Sequence, residues 1–108
     1  MNLDNKLILQ NKQQVRFVEI SDLLYIQVSH ADCTFYSETK KSFKFAIPLT
    51  ALEKLLPKGF IKINRNMVVN VDKIDFINLK THSITMINGD VMICSEEGSM
   101  NMKKVMTT

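Results

Sequence analysis

Apolar and polar residues alternate with a period of two through most of this chain, the pattern of strands that bury one face. KLILQ and QVRFVEI read as two short strands around Asn11-Lys12-Gln13. LLYIQVSH sets Leu24, Ile26 and Val28 on one face and Tyr25, Gln27 and Ser29 on the other. CTFYSE and SFKFAI continue the alternation, with Phe43, Phe45 and Ile47 on one side of the latter. Further along, FIKIN, MVVNV, IDFINL, SITMI and VMICS resume it. These runs are rich in β-branched and aromatic residues, which suit a pleated, half-buried surface.

One segment breaks the rhythm. PLTALEKLLPKGF carries Leu49, Leu52, Leu55 and Leu56 at helical spacing, which predicts a short helix over about residues 49–56. Pro48 stands at its entry, Thr50 and Glu53 fit a capping box, and Pro57 with Gly59 stops it. Asn88-Gly89, between the last two strands, predicts a two-residue hairpin of type I′, which needs positive φ at both central positions. The tail EEGSMNMKKVM has the makings of a second short helix, capped by Ser99 and anchored by Met100 and Val105.

Length and composition narrow the class. A chain of 108 residues with 45% apolar and 23% charged residues fits a single compact domain, 1–108, with a real core. It lacks the length for a receiver domain of alternating β and α pattern. No apolar run reaches the roughly 20 residues that span a bilayer. The start, MNLDNKLILQN, is not ordered like a secretory signal, so the expected location is cytoplasmic and no membrane partner is expected.

Candidate chemistry is sparse. No Gly-rich phosphate loop, H-E-x-x-H or G-x-S-x-G occurs, and neither His30 nor His82 has a triad setting, so an enzyme is not expected. Cys33 and Cys94 are far apart in sequence, have no CxxC spacing and sit in apolar strand patterns. They read as reduced structural thiols, and no metal or cofactor is expected.

The net charge of +3 says little by itself, but its distribution is informative. From Lys58 through Val71 the only charged residues are Lys58, Lys62 and Arg65, all positive. Lys40, Lys41 and Lys44 form a second basic group, and Lys103 with Lys104 a third. Any one group alone reads as ordinary solvated lysine.

Between FIKIN and MVVNV lies the polar knot Asn64-Arg65-Asn66. An arginine fork matches O6 and N7 of guanine, and an asparagine amide matches N6 and N7 of adenine. Such groups on a stiff β scaffold would make a reading head for a major groove, with Lys58 and Lys62 placed for phosphates. Equally, the two asparagines could simply make the turn, leaving Arg65 a solvated tip.

FIKINRNMVVNVDKID resembles the signature of the LytTR family of bacterial DNA-binding domains. That pattern is Phe-Ile-Arg-x-His-Arg-Ser-aromatic-(Ile/Val/Leu)-Val-Asn, followed shortly by an isoleucine. Phe60, Ile61, Arg65, Val68, Val69, Asn70 and Ile74 stand in matching positions, and Lys62 keeps a basic residue. ISDLLYIQVSHADCTFYSE is similar to the family's early strand pair, PLTALEKLLPKGF to its helix, and MINGDVMICS to its penultimate hairpin.

The resemblance implies a mostly β fold: stacked short antiparallel β-sheets with one short helix, 49–56, and room for a second at the C-terminus. It implies sequence-specific double-stranded DNA binding by loops laid into the major groove, in the output domain of a two-component response regulator or a stand-alone transcription regulator. The implied partners are promoter DNA, with two copies on repeated sites, and a receiver or sensor domain in a longer parent chain. Carried onto this sequence, base contacts fall to Arg65, flanked by Asn64 and Asn66, and to His30 in the loop after YIQVS. From the distribution of basic residues, the salt-dependent phosphate contacts are expected from Lys62, Lys40, Lys41, Lys103 and Lys104. Asn70, between apolar residues, reads instead as a buried amide tying down backbone.

Three departures stand out. Asn64 occupies a usual His position and Asn66 a usual Ser, while Ser95 is followed by Glu96-Glu97 where the family often has Arg. Two carboxylates facing phosphates would repel them. The third contact therefore comes from Lys103 or Lys104, or the affinity is lower. The alternative function is a non-catalytic β module that binds protein, or single-stranded nucleic acid, which needs exposed aromatic stacking platforms; only Tyr25 and Tyr36 look outward-facing, and both could equally be core rim.

Overall fold

The structure is a computed structural model that describes residues 5–106. The chain runs through β1 (Lys6–Gln10), β2 (Val15–Glu19), β3 (Leu23–Ser29), β4 (Asp32–Ser37), β5 (Phe43–Phe45), α1 (Leu49–Leu55), β6 (Phe60–Asn64), β7 (Met67–Asn70), β8 (Ile74–Asn78), β9 (Ser83–Met86), β10 (Val91–Ile93) and α2 (Glu96–Met106). The strands form three antiparallel sheets: β1-β2, a central β5-β4-β3-β7-β6, and β10-β9-β8.

The central sheet is covered on both faces. On one, Leu7, Leu9 and Val18 of the β1–β2 hairpin and Leu52 of α1 pack on Ile26, Phe35 and Phe45. On the other, Ile84, Met86 and Met92 of the β8–β10 sheet and Met102 of α2 pack on Tyr25, Ile63 and Val69. Burying a large apolar side chain contributes about 1.5–3 kcal/mol, so each outer layer is held by several such increments.

This two-sided burial corrects the strict alternation expected for β3. The register shifts between Leu23 and Tyr25, so the strand carries a bulge there. Leu24 and Tyr25 both face the β8–β10 side, while Leu23 and Ile26 face the β1–β2 side. Leu24 therefore lies opposite Ile26, not beside it. Tyr25, expected to face outward, is only 7% exposed.

Three local expectations need similar correction. The N-cap of α1 is Pro48, whose carbonyl accepts the Ala51 and Leu52 N–H groups, so Thr50 lies inside the helix and the Thr50–Glu53 capping box is not formed. The helix phase follows Leu52, which must point into the core. The Asn88-Gly89 hairpin uses a three-residue loop. The Gly89 N–H donates to the Met86 carbonyl, Met86 N–H to the Asp90 carbonyl, and only Gly89 (φ 96°) has positive φ. That is a turn closed by a left-handed glycine, not type I′. Finally, the cap of α2 is Ser95, whose Oγ accepts the Gly98 N–H at 3.0 Å. Ser99 is intrahelical, Met100 is 62% exposed, and the buried anchors are Gly98 and Met102.

Candidate nucleic-acid interface

Antiparallel pairing decides which loops meet. Ser29 pairs with Asp32, so His30-Ala31 closes the β3–β4 hairpin, with His30 left-handed at φ 38°. Asn64 pairs with Met67, so Arg65-Asn66 closes β6–β7. Since β3 also pairs with β7, both tips emerge at one end of the central sheet. The Val28 N–H donates to the Asn66 carbonyl at 2.7 Å and joins them.

The Arg65 turn is fastened from two other directions. Asn64 Oδ1 accepts the Asn66 N–H at 2.8 Å, and Asn64 Nδ2 donates to the Ile93 carbonyl of β10 at 2.8 Å. Beneath it, the Ile63 carbonyl accepts the Ser95 N–H at 2.9 Å and the Ser95 hydroxyl at 3.2 Å. Asn101 Nδ2 of α2 donates to the Lys62 carbonyl at 2.9 Å. Gly98 lies so close that a Cβ there would fall 1.8 Å from the Ile63 carbonyl oxygen. Thus α2 covers the outer edge of β6 and satisfies carbonyls that an open sheet edge would leave unpaired.

The sequence-derived candidates separate on this frame. Arg65, Asn66 and His30 are exposed at the same end. Asn64 is there too, but both ends of its amide are engaged within the protein, which makes it a positioning residue for the turn. Lys62 is half-buried on β6, opposite Val68. Lys103 and Lys104 are exposed in the last turn of α2, roughly 12 Å along the helix from its start.

Lys40 and Lys41 are not brought to this end. β4 runs away from the His30 tip for six residues, roughly 20 Å, before they occur. There Thr39 Oγ1 donates to the Asp22 carboxylate at 2.9 Å, and the two lysines lie beside Arg16 and Glu19. Clustering of charge in the sequence carried no information about which end of the sheet it would reach.

One loop toward this end was missed. Leu79–His82 joins β8 to β9, and the His82 carbonyl accepts the Cys94 N–H at 2.8 Å, beside Ile93 and Asn64. Asn78 Oδ1 accepts the Lys80 and Thr81 N–H groups, leaving Lys80 exposed at the tip. The signal was the Asn-x-Lys turn after IDFIN, which periodicity alone passes over. Glu96 and Glu97 open α2 nearby, so the end is of mixed charge.

The stacking-platform alternative is corrected by the tyrosines. Tyr25 and Tyr36 stack on each other, centroids 4.5 Å apart, and Tyr25 Oη donates to the Asp90 carboxylate at 2.8 Å. Burial, with that carboxylate, pushes the Tyr25 hydroxyl well above its ordinary pKa. The exposed aromatics are Phe17 and Phe76, on the two outer sheets at opposite sides of the molecule. Among the described residues no helix is long and apolar enough to cross a membrane. Asn70 meets its expectation: 4% exposed, it donates to the Leu23 carbonyl at 2.9 Å.

The LytTr DNA-binding domain model matches residues 13–107. The chain belongs to the LytTr DNA-binding domain family. A LytTr DNA-binding domain from a Bacillus cereus methyl-accepting/DNA response regulator superposes with a TM-score of 0.78 at 24% identity, covering 97% of this chain and 99% of that one. At that identity the likeness speaks for the fold, which is the expected stack of antiparallel sheets with two helices. Curated relatives include uncharacterized HTH-type transcriptional regulators of Staphylococcus aureus. One, from strain NCTC 8325 / PS 47, is 29% identical over 67% of this chain and 48% of its own length. Another, from strain bovine RF122 / ET3-1, is 34% identical over 54% of this chain and 39% of its own. The LytTr domain thus spans about half the length, or less, of the curated relatives it matches. In this LytTr domain α1 and α2 are separated by five strands, so they form no helix-turn-helix unit.

Proposed function

We propose that this LytTr domain is the output module of a transcriptional regulator and reads duplex DNA sequence-specifically with the loop end of its central sheet. The observation that carries the reading is the setting of Arg65: exposed at a turn whose neighbours are tied to β3, β10 and α2. A major groove, roughly 12 Å wide, admits a two-stranded β ribbon, and a guanidinium reads guanine O6 and N7 there. Arg65 supplies that contact. Asn66 and His30 reach adjacent edges, and Asn64 fixes the turn. Lys62, Lys80, Lys103 and Lys104 supply the salt-dependent attraction to phosphates. Lys40 and Lys41, at the far end, do not enter this contact set. The protein is non-catalytic in this reading. The matched relatives are longer: 72 residues are 48% of one of them, about 150 residues in all. That supports a further segment of about 40 residues in a parent chain, short of a receiver domain. Two copies on repeated sites would raise affinity above that of a single domain.

The test is selection of bound duplexes from a random pool, followed by anisotropy titrations of the selected and scrambled sequences. Arg65→Ala is expected to cost about 1–3 kcal/mol on the selected duplex, concentrated at one base pair, with little change on the scrambled one. Unaltered discrimination by Arg65→Ala would remove Arg65 as the reading residue. Tighter binding to single strands than to duplex would replace this reading altogether.

A further inference from the structure

Three turns of this chain are built by one device. Asn64 Oδ1 accepts the Asn66 N–H, and Arg65 is exposed between them. Asn78 Oδ1 accepts the Lys80 and Thr81 N–H groups, and Lys80 is exposed. At the tip of the β1–β2 hairpin, Asn11 Oδ1 accepts the Gln13 and Gln14 N–H groups at 2.9 and 3.0 Å, and Lys12 is exposed. In each, a side-chain amide takes over backbone bonding in the turn and leaves a basic residue facing solvent.

The third turn lies at the same end of the molecule as the Arg65 turn. Asn11 Nδ2 donates to the Ala46 carbonyl at 3.2 Å, as Asn64 Nδ2 donates to the Ile93 carbonyl. Phe45 pairs with Cys33, so Ala46 stands beside Asp32, which with Ser29 bounds the His30 turn. The opposite end of the hairpin is closed by Lys6 and Glu19. From there Ile20–Asp22 leads to Leu23, the end of β3 remote from His30.

The strand order β5-β4-β3-β7-β6 sets the reach. From the Arg65 turn to the end of β5 is three and a half strand spacings, roughly 17 Å at about 4.8 Å each. The hairpin lies one layer, roughly 10 Å, off that sheet. A major groove is roughly 12 Å wide, so with Arg65 on its floor Lys12 stands outside it, over the bounding phosphates. Asp32 does not oppose such a contact. It shares a face with Gln27 and Thr34, whereas the hairpin packs on the other face, with Cys33 and Phe35. Glu96 and Glu97 start α2, which is bonded to β6 at the far edge of the sheet.

We infer that the tip of the β1–β2 hairpin is a further DNA contact, with the Lys12 ammonium on a backbone phosphate beyond the groove that Arg65 enters. The inference rests on the DNA-reading role. Lys12 supplies affinity without sequence preference and lengthens the contacted duplex on the His30 side.

The test compares Lys12→Ala with Lys41→Ala, which removes the same charge at the other end of the sheet, in anisotropy titrations over a salt series. Lys12→Ala should weaken selected and scrambled duplexes alike, about fivefold at roughly 0.15 M salt, and lower the slope of log K against log salt by about 0.9. Lys41→Ala should change neither, because a charge roughly 20 Å away lies beyond a Debye length of about 8 Å. A scan of single methylphosphonates, each neutralising one phosphate, should find a position that weakens the wild-type protein but not Lys12→Ala. Equal effects of the two lysine variants, or the lack of such a position, would overturn the contact. Lost discrimination in Arg65→Ala beside a neutral Lys12→Ala removes the hairpin contact alone. A wild-type protein that binds no duplex removes the DNA reading and this contact together.

Discussion

Replacing Gly98 by alanine sets two effects against each other, and their sizes decide the outcome. Inside a helix alanine is better than glycine by roughly 0.5–1 kcal/mol, so propensity alone predicts a more stable domain. The structure predicts the reverse. A Cβ at residue 98 would fall 1.8, 2.4 and 2.7 Å from the oxygen, carbonyl carbon and Cα of Ile63, all of them backbone. Ordinary contact begins near 3.4 Å, so α2 must retreat by 3.4 − 1.8 = 1.6 Å. That retreat strains or breaks the hydrogen bonds from Ser95 and Asn101 to β6, about 0.5–1.5 kcal/mol each, and uncovers part of Met102, worth about 1.5–3 kcal/mol when buried. Partial relaxation recovers some of this, and the propensity gain offsets a little more. The expected net loss is about 2–4 kcal/mol. At about 4–8 °C per kcal/mol for a domain this size, the melting temperature should fall by at least ~8 °C, read by far-ultraviolet circular dichroism. An unchanged or raised melting temperature would refute the close packing of α2 on β6.

Asn64→Ala removes the two side-chain hydrogen bonds that Asn64 contributes to the Arg65 turn and is expected to cost about 1–2 kcal/mol in urea denaturation, while Asn66→Ala should stay within ~0.5 kcal/mol. Equal effects would contradict the positioning role. Lys62→Ala should weaken binding to all duplexes alike and reduce the slope of log K against log salt by about 0.9. Burial, with Asp32 nearby, pushes the Cys33 thiol up from 9.0 to about 11. Between those values the unfolded chain has lost a proton that the folded chain keeps, so this contribution to stability is complete below pH 9 and falls away as pH rises toward 11. Cys33→Ala should therefore flatten the alkaline loss of stability, and an identical pH profile for the variant would refute the assignment.

Strand content was legible because period-two alternation is a local signal, and a residue's neighbours two away reveal its face. The bulge at Leu23–Tyr25 was not legible, since a one-residue slip leaves the composition of LLYIQVSH unchanged while moving Leu24 to the other core. Capping failed for a related reason. Thr50 and Ser99 are chemically competent caps, but helix phase is set by which residues must be buried, Leu52 in α1 and Gly98 with Met102 in α2. The Arg65 turn was legible as a cluster of forked polar groups. That Asn64 would spend its amide on the Ile93 carbonyl, 29 residues away, depends on tertiary contact alone. Likewise nothing local distinguishes Lys80, whose loop is tied to Cys94 next to Ile93 and so lies toward the Arg65 end, from Lys40 and Lys41, which lie at the other end.

The multiple anchoring of one turn bears on how so small a domain could discriminate among sequences. A long arginine side chain carries about 2 kcal/mol of rotamer entropy that base contact must overcome. A floppy supporting loop would add about 1–2 kcal/mol for each backbone residue ordered on binding. Such a sum approaches the whole discrimination available from one bidentate contact, about 1–3 kcal/mol. In this domain the backbone part is settled during folding, by the Val28 and Ser95 N–H groups donating to the Asn66 and Ile63 carbonyls and by the Ile93 carbonyl accepting from Asn64 Nδ2. Only the Arg65 side chain remains to be ordered. Folding stability of α2 and base discrimination should therefore move together: a series of α2 variants that weaken its docking should lose discrimination in proportion, with scrambled-sequence affinity constant.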